Sequence, residues 1–231
     1  MEVITKTPEK LVMRLDISES LANSLRRSIS EVPTLAIDEV EIYKNDSALY
    51  DEMLSHRLGL VPLKTEKSMS GKTEIELKLS KSGPATVYSG DLKGNADVVF
   101  DGIPLTLLGE GQKIELVAKA KLGVGIKHAK HTPGLCYYRH VLEISSSPEI
   151  DKIVSAGHGL FKAEKKGSKW FCDLREAEVD AINAINSDAV KNTSEIVFVV
   201  ESYGSMDAKD IFLKAIEALG DNLDEAVKAL K

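Results

Sequence analysis

The first strongly patterned segment of the chain lies near its start. From residue 11 to residue 17 every second residue is apolar, and the residues between them are charged except for Val12. A period of two residues is typical of a β-strand with one buried face, so this pattern predicts a half-buried strand. Near the other end, the uninterrupted apolar run IVFVV at 196–200 predicts a strand that is buried on both faces.

Two segments carry apolar residues at the spacing of an amphipathic helix. In the first segment, residues 18–32, the apolar stripe consists of Leu21, Leu25, Ile29 and Val32. In the second, after Gly204, it consists of Ile211, Ala215, Leu219, Leu223 and Val227. Asp16 or Ser18 can cap the first helix, and Pro33 ends it. The pattern leaves open whether the terminal stripe packs on the chain's own sheet or on another chain, although packing in the core is the more common outcome.

The long middle part of the chain has a different pattern of residues. A turn cluster at 45–47 precedes a segment of helical composition, 51–58, which Gly59 is placed to end. Residues 64–191 contain short β-prone runs, at 75–79, 97–100 and 114–120, separated by glycine, proline and serine. This part is predicted to be an irregular β-rich unit with weak helices, and the whole chain an α+β protein.

Composition limits the classes of function. The chain has 231 residues and a formal net charge of −6, whereas dedicated nucleic-acid-binding proteins usually carry positive charge, because phosphate contacts supply much of their affinity. The sequence shows no signal peptide and no apolar stretch near the roughly 20 residues that cross a bilayer. Two cysteines, Cys136 and Cys172, are too few for a disulfide framework. We therefore expect a cytoplasmic protein.

Signatures of catalysis are incomplete. Gly123-Val124-Gly125 begins like a dinucleotide-binding loop, but His128 occupies the position of the third glycine. One group of residues has the chemistry of zinc ligands, and it consists of His128, His131, Cys136 and His140. Its spacing is irregular and a turn at 132–134 interrupts it, so a solvated loop with a buried thiol is favoured over a small metalloenzyme.

A local run of basic residues departs from the acidic average. From residue 116 to residue 142 the chain has no acidic residue, and its basic ones are Lys119, Lys121, Lys127, Lys130 and Arg139. Such a run can face phosphate, an acidic protein surface or only solvent. A freestanding nucleic-acid-binding module that uses Lys119–Arg139 is therefore the alternative hypothesis of function.

Several spaced motifs resemble the α-type subunits of multi-subunit RNA polymerases. The matching segments are LANSLRR at 21–27, VPTLAIDEV at 32–40, SHRLGLVPL at 55–63 and GVGIKHAK at 123–130. The closing strand and helix, residues 197–230, also match. This family comprises bacterial α N-terminal domains, their archaeal counterparts and the third-largest nuclear subunit, and the motifs are most similar to the archaeal members.

The resemblance implies a split architecture. Residues 1–48 and 192–231 would form an α/β dimerisation domain with long helices, and residues 49–191 a β-rich domain inserted into it. The dimerisation domain would pair with the smaller α-like subunit L, which overturns the preference for core that the pattern alone supports. The residues expected at this interface are Leu21, Leu25, Ile29, Ile211, Ala215, Leu219, Leu223 and Val227.

The resemblance also implies a role. The heterodimer would be a non-catalytic platform on which the largest and second-largest subunits of a DNA-directed RNA polymerase, a nucleotidyltransferase, assemble. Small zinc-bearing subunits, N and P, would dock on the same platform, with no direct sequence-specific DNA contact and no membrane. The expected contacts with the large subunits are Asn23, Arg26, Arg27, His56, Arg57, Lys127, His128 and Lys130.

Cysteine content separates this chain from part of that family. Many archaeal relatives carry a cysteine-rich, ferredoxin-like insertion, and nuclear relatives carry a cysteine zinc loop. With only Cys136 and Cys172, and with a short stretch from 145 to 192, this chain is expected to lack that ferredoxin-like portion. We expect neither an iron–sulfur cluster nor zinc.

Overall fold

The computed structural model describes residues 1–230, and most of its strands form two antiparallel sheets. The first sheet has six strands, which in spatial order are β1 (Glu2–Lys6), β2 (Lys10–Asp16), β12 (Val190–Ser202), β9 (Gly134–Ser145), β11 (Lys169–Cys172) and β10 (Glu164–Lys166). Helices α1 (Glu19–Ser28) and α5 (Ala208–Ala229) cover one face of this sheet at β2 and β12. Helices α3 (Pro148–Ala156) and α4 (Glu176–Ile185) pack in a separate core at its β9–β11 end.

Strands β2 and β12 of the first sheet are buried on both faces over most of their paired length. Residues 196–200 of β12 are fully buried, as the apolar run predicted. The half-buried strand predicted for residues 11–17 is wrong in this respect, because Val12 and Arg14 of β2 are buried as well. The segment around Phe161 covers their face, and the guanidinium of Arg14 lies 5.4 Å from the Phe161 ring while its Nε donates to Glu195 at 2.8 Å.

The start of α1 follows local chemistry. The Ser18 side chain accepts a hydrogen bond from the Leu21 N–H at 3.3 Å, so Ser18, not Asp16, is the cap. The helix ends at Ser28, and one turn of 3₁₀-helix, Ile29–Glu31, leads to Pro33.

The second sheet has four strands, in the order β3 (Thr34–Asn45), β8 (Lys113–Gly123), β4 (Glu74–Ser82) and β6 (Lys93–Gly94). The two-stranded hairpin β5 (Ala85–Tyr88) and β7 (Pro104–Leu108) and helix α2 (Asp51–Gly59) complete this unit. Leu54 and Leu58 of α2 are fully buried in the same core as Leu77 and Leu116 of the sheet. The β-prone run 97–100 forms no strand, and only Val98 makes an isolated bridge, with Leu63.

Sheet membership does not follow the expected division into 1–48 plus 192–231 and 49–191. Strand β3, which lies before residue 48, pairs with β8 of the second sheet over its length. Strands β9, β10 and β11, which lie within 49–191, pair in the first sheet. The difference has a physical cause: a period of two residues identifies a strand but carries no information about its hydrogen-bonding partner.

No helix within residues 1–230 is long and apolar enough to cross a membrane.

Candidate assembly surfaces

Helix α5 changes environment along its length. Ile211 and Ala215 are fully buried against the first sheet, and Leu219 is partly buried. From Gly220 to Leu230 every residue is exposed. At a rise of 1.5 Å per residue, the exposed helical residues 220–229 extend about 15 Å beyond the packed part.

The four-residue repeat of α5 is not a straight stripe. A step of four residues advances about 400° around the axis, which is 40° more than a full turn. Ile211 and Val227 are therefore roughly 160° apart, and only the first part of the repeat faces the sheet. A second, exposed face, which we call the outer stripe, consists of Leu213, Ile216, Leu223, Val227 and Leu230.

Helix α1 shows the same division. Leu25 and Ile29 lie in the core beneath α1 and α5, whereas Leu21 is 43% exposed. Of the residues expected at a partner interface, those that instead form this chain's own core are Leu25, Ile29, Ile211 and Ala215. The expected interface residues that keep exposed apolar surface are Leu21, Leu223 and Val227. Leu219 is partly buried against the core, so its exposure is intermediate.

Sequence reasoning missed Leu213 and Ile216 of the outer stripe, which are 44% and 43% exposed. Neither residue belongs to the four-residue repeat. Plotting α5 at about 100° per residue places both in the same arc as Leu223 and Val227, so this signal was present in the sequence.

The motif segments converge around the loop that follows β8. The Ile126 N–H donates to the Ser30 carbonyl at 3.1 Å, which joins the loop to the 3₁₀ turn that follows α1. Lys130 Nζ lies 2.8 Å from Asp38 Oδ1 on β3. A Cβ on Gly59 would lie 3.9 Å from the Lys130 side chain, so the end of α2 borders the same loop. Segments that are far apart in sequence thus form one surface.

Most of the local basic run is neutralised by acidic residues of other segments. Lys119 and Lys121 on β8 pair with Glu41 and Glu39 on β3 at 2.7 and 2.8 Å. Arg139 pairs with the buried Asp173 at 2.9 Å. The antiparallel register of β3 with β8 places these charges side by side. A phosphate-binding surface needs uncompensated positive charge, so this pairing weighs against the nucleic-acid alternative.

Lys130 is also used within the chain. Its side chain is 13% exposed, and its hydrogen bond keeps the pKa of Asp38 below the ordinary value. Lys127, the remaining member of the run, makes no ion pair within residues 1–230 and is exposed. Lys130 therefore holds the loop on β3 instead of presenting its charge to a partner.

The other expected contacts with large subunits are mostly exposed. Arg26 and Arg27 project from α1, and Arg26 Nη2 donates to Asn23 Oδ1 at 2.9 Å. Arg57, at the end of α2, donates to the carbonyl of Pro104 and so faces the β5–β7 hairpin. His56 and His128 are exposed as well. These residues come from α1, α2 and the loop after β8, and Arg57 is turned towards the hairpin, so they do not form a single compact cluster.

The four candidate zinc ligands are not brought together. His131 is buried, with Nδ1 2.8 Å from the Thr34 carbonyl, and burial lowers its pKa. His140 contacts the Thr193 carbonyl at 3.0 Å and Glu19 at 2.6 Å. Burial raises the pKa of the Cys136 thiol to about 12, which opposes the thiolate form that zinc requires. Within residues 1–230 no group of three or more His, Cys, Asp or Glu side chains could hold a metal ion, so the arrangement does not support the metalloenzyme alternative.

Comparison with known proteins identifies the family. Residues 40–138 match the family model of the RNA polymerase Rpb3/RpoA insert domain. The chain is 35% identical to DNA-directed RNA polymerase subunit Rpo3 of Pyrococcus horikoshii over 258 aligned positions, which cover 100% of this chain and 97% of the relative.

The chain belongs to the family of archaeal RNA polymerase subunit Rpo3. Rpo3 of Pyrococcus furiosus is 38% identical over 92% of this chain and 89% of its own length. Rpo3 of Methanocaldococcus jannaschii is 43% identical over 60% of this chain and 73% of its own length. The resemblance inferred from the motifs is thus confirmed, and with it the role of an RNA polymerase subunit.

Membership of the Rpo3 family also locates the insert. The matched segment runs from Val40 in β3 to Tyr138 in β9, so it contains α2, the hairpin and most of the second sheet. The α+β class expected from the sequence is confirmed. The chain is part of a nucleotidyltransferase complex that transcribes DNA.

Proposed function

We propose that this Rpo3-family chain is a non-catalytic assembly platform of its polymerase. It binds the smaller α-like subunit L through the outer stripe of α5 together with Leu21 of α1. The heterodimer then presents the surface around the loop after β8, together with the exposed arginines of α1, to the two large catalytic subunits. The observation that carries this proposal is the apolar outer stripe, which lies exposed on a helix whose opposite face is anchored in the core.

The energetics favour a partner on this helix. Fully burying a leucine, isoleucine or valine side chain contributes about 1.5–3 kcal/mol. The five outer-stripe residues are between 43% and 89% exposed, so covering them would contribute several kcal/mol. An obligate interface usually buries more than about 2,000 Å², which one projecting helix cannot supply by itself. The proposed partner surface therefore extends across α1 as well.

The second step, contact with the large catalytic subunits, relies on charge. Arg26 and Arg27 are exposed on α1, and guanidinium groups make paired hydrogen bonds to carboxylates. We assign these residues, with Asn23, His56, Arg57, Lys127 and His128, to contacts with the largest and second-largest subunits. Lys130 supports these contacts indirectly by holding its loop on Asp38.

The remaining parts of the proposal follow from the same platform role. The small subunits N and P dock on the heterodimer, and the complex works in the cytoplasm. We continue to expect neither an iron–sulfur cluster nor zinc, with Cys136 and Cys172 as the chain's cysteines. Elemental analysis of the purified chain tests this expectation, and a stoichiometric metal would contradict it.

Co-expression with subunit L of the same organism tests the first step. We expect the wild-type chain and L to elute together in size-exclusion chromatography. The double variant Leu223→Asp, Val227→Asp should not retain L, because both substitutions place charge in the outer stripe. A matched control is Leu107→Asp, which charges a residue that is 70% exposed on β7, outside the proposed interface.

The proposal fails if the folded double variant retains L as tightly as the wild type. For the second step, Arg26→Glu with Arg27→Glu should leave the heterodimer intact and block recruitment of the second-largest subunit. Loss of both steps in this variant, with circular dichroism unlike that of the wild type, would indicate misfolding of α1 instead.

A further inference from the structure

We propose that residues 220–230 are only partly helical in the free subunit and become ordered when a partner covers the outer stripe, and that Gly220 sets the extent of this ordering. The inference rests on the proposed function for the identity of the partner. The claim about the free subunit stands on the structure of α5.

The first observation is where tertiary packing ends. Leu219 is the last residue of α5 that packs against the core, and residues 220–230 are all exposed. The side chain of Asn222 donates to Glu31, and both residues of this hydrogen bond are near the surface. Most of the stability of a helix in a protein comes from tertiary packing of its apolar face and not from helix propensity. Residues 220–229 continue a helix that is already nucleated, but they lack that packing.

The second observation is the glycine at the junction. Gly220 is the first exposed residue after the packed part, and glycine lowers the population of a helical state by roughly fivefold relative to alanine. A Cβ at Gly220 would meet no atom within 4 Å, and its φ is not positive. Neither close packing nor backbone geometry requires glycine here, so the effect of Gly220 falls on the helix–coil equilibrium.

Charge specifies the chemistry of the occupant. Residues 220–230 carry three acidic residues, Asp221, Asp224 and Glu225, against the basic Lys228. Of these, Asp224 lies beside the outer stripe, about 60° around the axis from Val227. The complementary surface is an apolar groove with lysine or arginine at its rim. We assign this groove to the smaller α-like subunit. Because the helix must be ordered before it fits the groove, the apparent affinity is reduced by the fraction of chains that are already helical.

Hydrogen exchange of the free, full-length chain tests the first half of the inference. We expect the amides of residues 223–229 to exchange much faster than those of residues 212–219. Gly220→Ala should slow exchange at 223–229 by up to about fivefold. The matched control is Asn183→Ala, an exposed substitution on α4 that also favours helix but lies in a different core unit. It should leave exchange at 223–229 unchanged.

The affinity of each chain for separately purified subunit L tests the second half of the inference, which is ordering on binding. Gly220→Ala should bind up to about fivefold more tightly, Asn183→Ala should bind like the wild type, and added salt should weaken binding of all three. Equal protection of residues 212–219 and 223–229 in the free wild type would overturn the inference, as would an unchanged affinity of Gly220→Ala. If none of the chains binds L, the proposed partner is wrong, and exchange of the free chain still decides whether residues 220–230 are partly ordered.

Discussion

A comparison of Ile211→Ala with Val227→Ala separates the two environments of α5. Ile211 is fully buried in the core of the chain, whereas Val227 is 51% exposed on the outer stripe. Truncating a buried isoleucine to alanine usually costs about 2–5 kcal/mol, from lost burial and the cavity left behind. Substitutions at exposed positions are usually within about 0.5 kcal/mol of neutral.

Thermal unfolding of the isolated chain measures this difference. For a chain of this size, 1 kcal/mol shifts the melting temperature by roughly 2–4 °C. We therefore expect Ile211→Ala to melt about 4–20 °C lower than the wild type. Val227→Ala should melt within about 2 °C of it.

The same two variants should behave differently in the complex. Val227→Ala should weaken binding of subunit L although the isolated chain keeps its melting temperature. Comparable losses of melting temperature for both variants in the isolated chain would refute the assignment of Val227 to an exposed surface. A Val227→Ala chain that binds L normally would refute its role in the interface.

Three further predictions concern other parts of the chain. The Asp151 carboxyl accepts hydrogen bonds from Lys165, Trp170 and Ser146, which lower its pKa from 3.8 to about 2. Ionised Asp151 therefore stabilises the folded chain above about pH 4, and this stabilisation is lost as the pH falls towards 2. Asp151→Asn should therefore make acid unfolding between pH 4 and 2 less steep, as followed by fluorescence of Trp170, the only tryptophan. Burial raises the pKa of both Cys136 and Cys172 to about 12, so iodoacetamide at pH 8 should label them only after denaturation, and rapid labelling of the native chain would contradict this. Gly204 has a φ of 98°, and a Cβ there would lie 2.3 Å from Val99. Gly204→Ala should therefore lower the free energy of unfolding by at least about 1–3 kcal/mol in a melting experiment. Gly71→Ala, whose Cβ would meet no atom within 4 Å, should not lower it.

Much of the local structure was predictable from short-range patterns. The doubly buried strand at 196–200 and the amphipathic character of both helices depend on residues close together in sequence. The pattern also limited the cap of α1 to Asp16 or Ser18, of which the structure uses Ser18. Four motifs were sufficient to indicate the family, and they lie at 21–27, 32–40, 55–63 and 123–130. The family is confirmed by the 35% identity to Rpo3 of Pyrococcus horikoshii over the whole of this chain.

Other features depend on contacts that such patterns do not contain. The basic run 119–139 looked like a charged surface, but Lys119 pairs with Glu41, which is 78 residues away. The alternating pattern of β2 suggested one exposed face, yet Arg14 is buried because Glu195 and Phe161 lie over it. A local pattern does not indicate the charge of a strand's neighbour or what covers its second face.

Helix α5 shows most directly which features the local pattern predicts and which depend on the tertiary structure. The spacing of apolar residues was enough to predict that residues 211–227 form a helix with an apolar repeat. The spacing could not tell that Ile211 and Ala215 are core while Leu223 and Val227 are exposed, which depends on where the sheet lies. There are two physical reasons: the helix extends beyond its packed part after Leu219, so that every residue from Gly220 to Leu230 is exposed, and the repeat turns about 40° around the axis at each step. The sheet covers only the arc of the helix that it can reach, and the rest of the repeat remains as apolar surface.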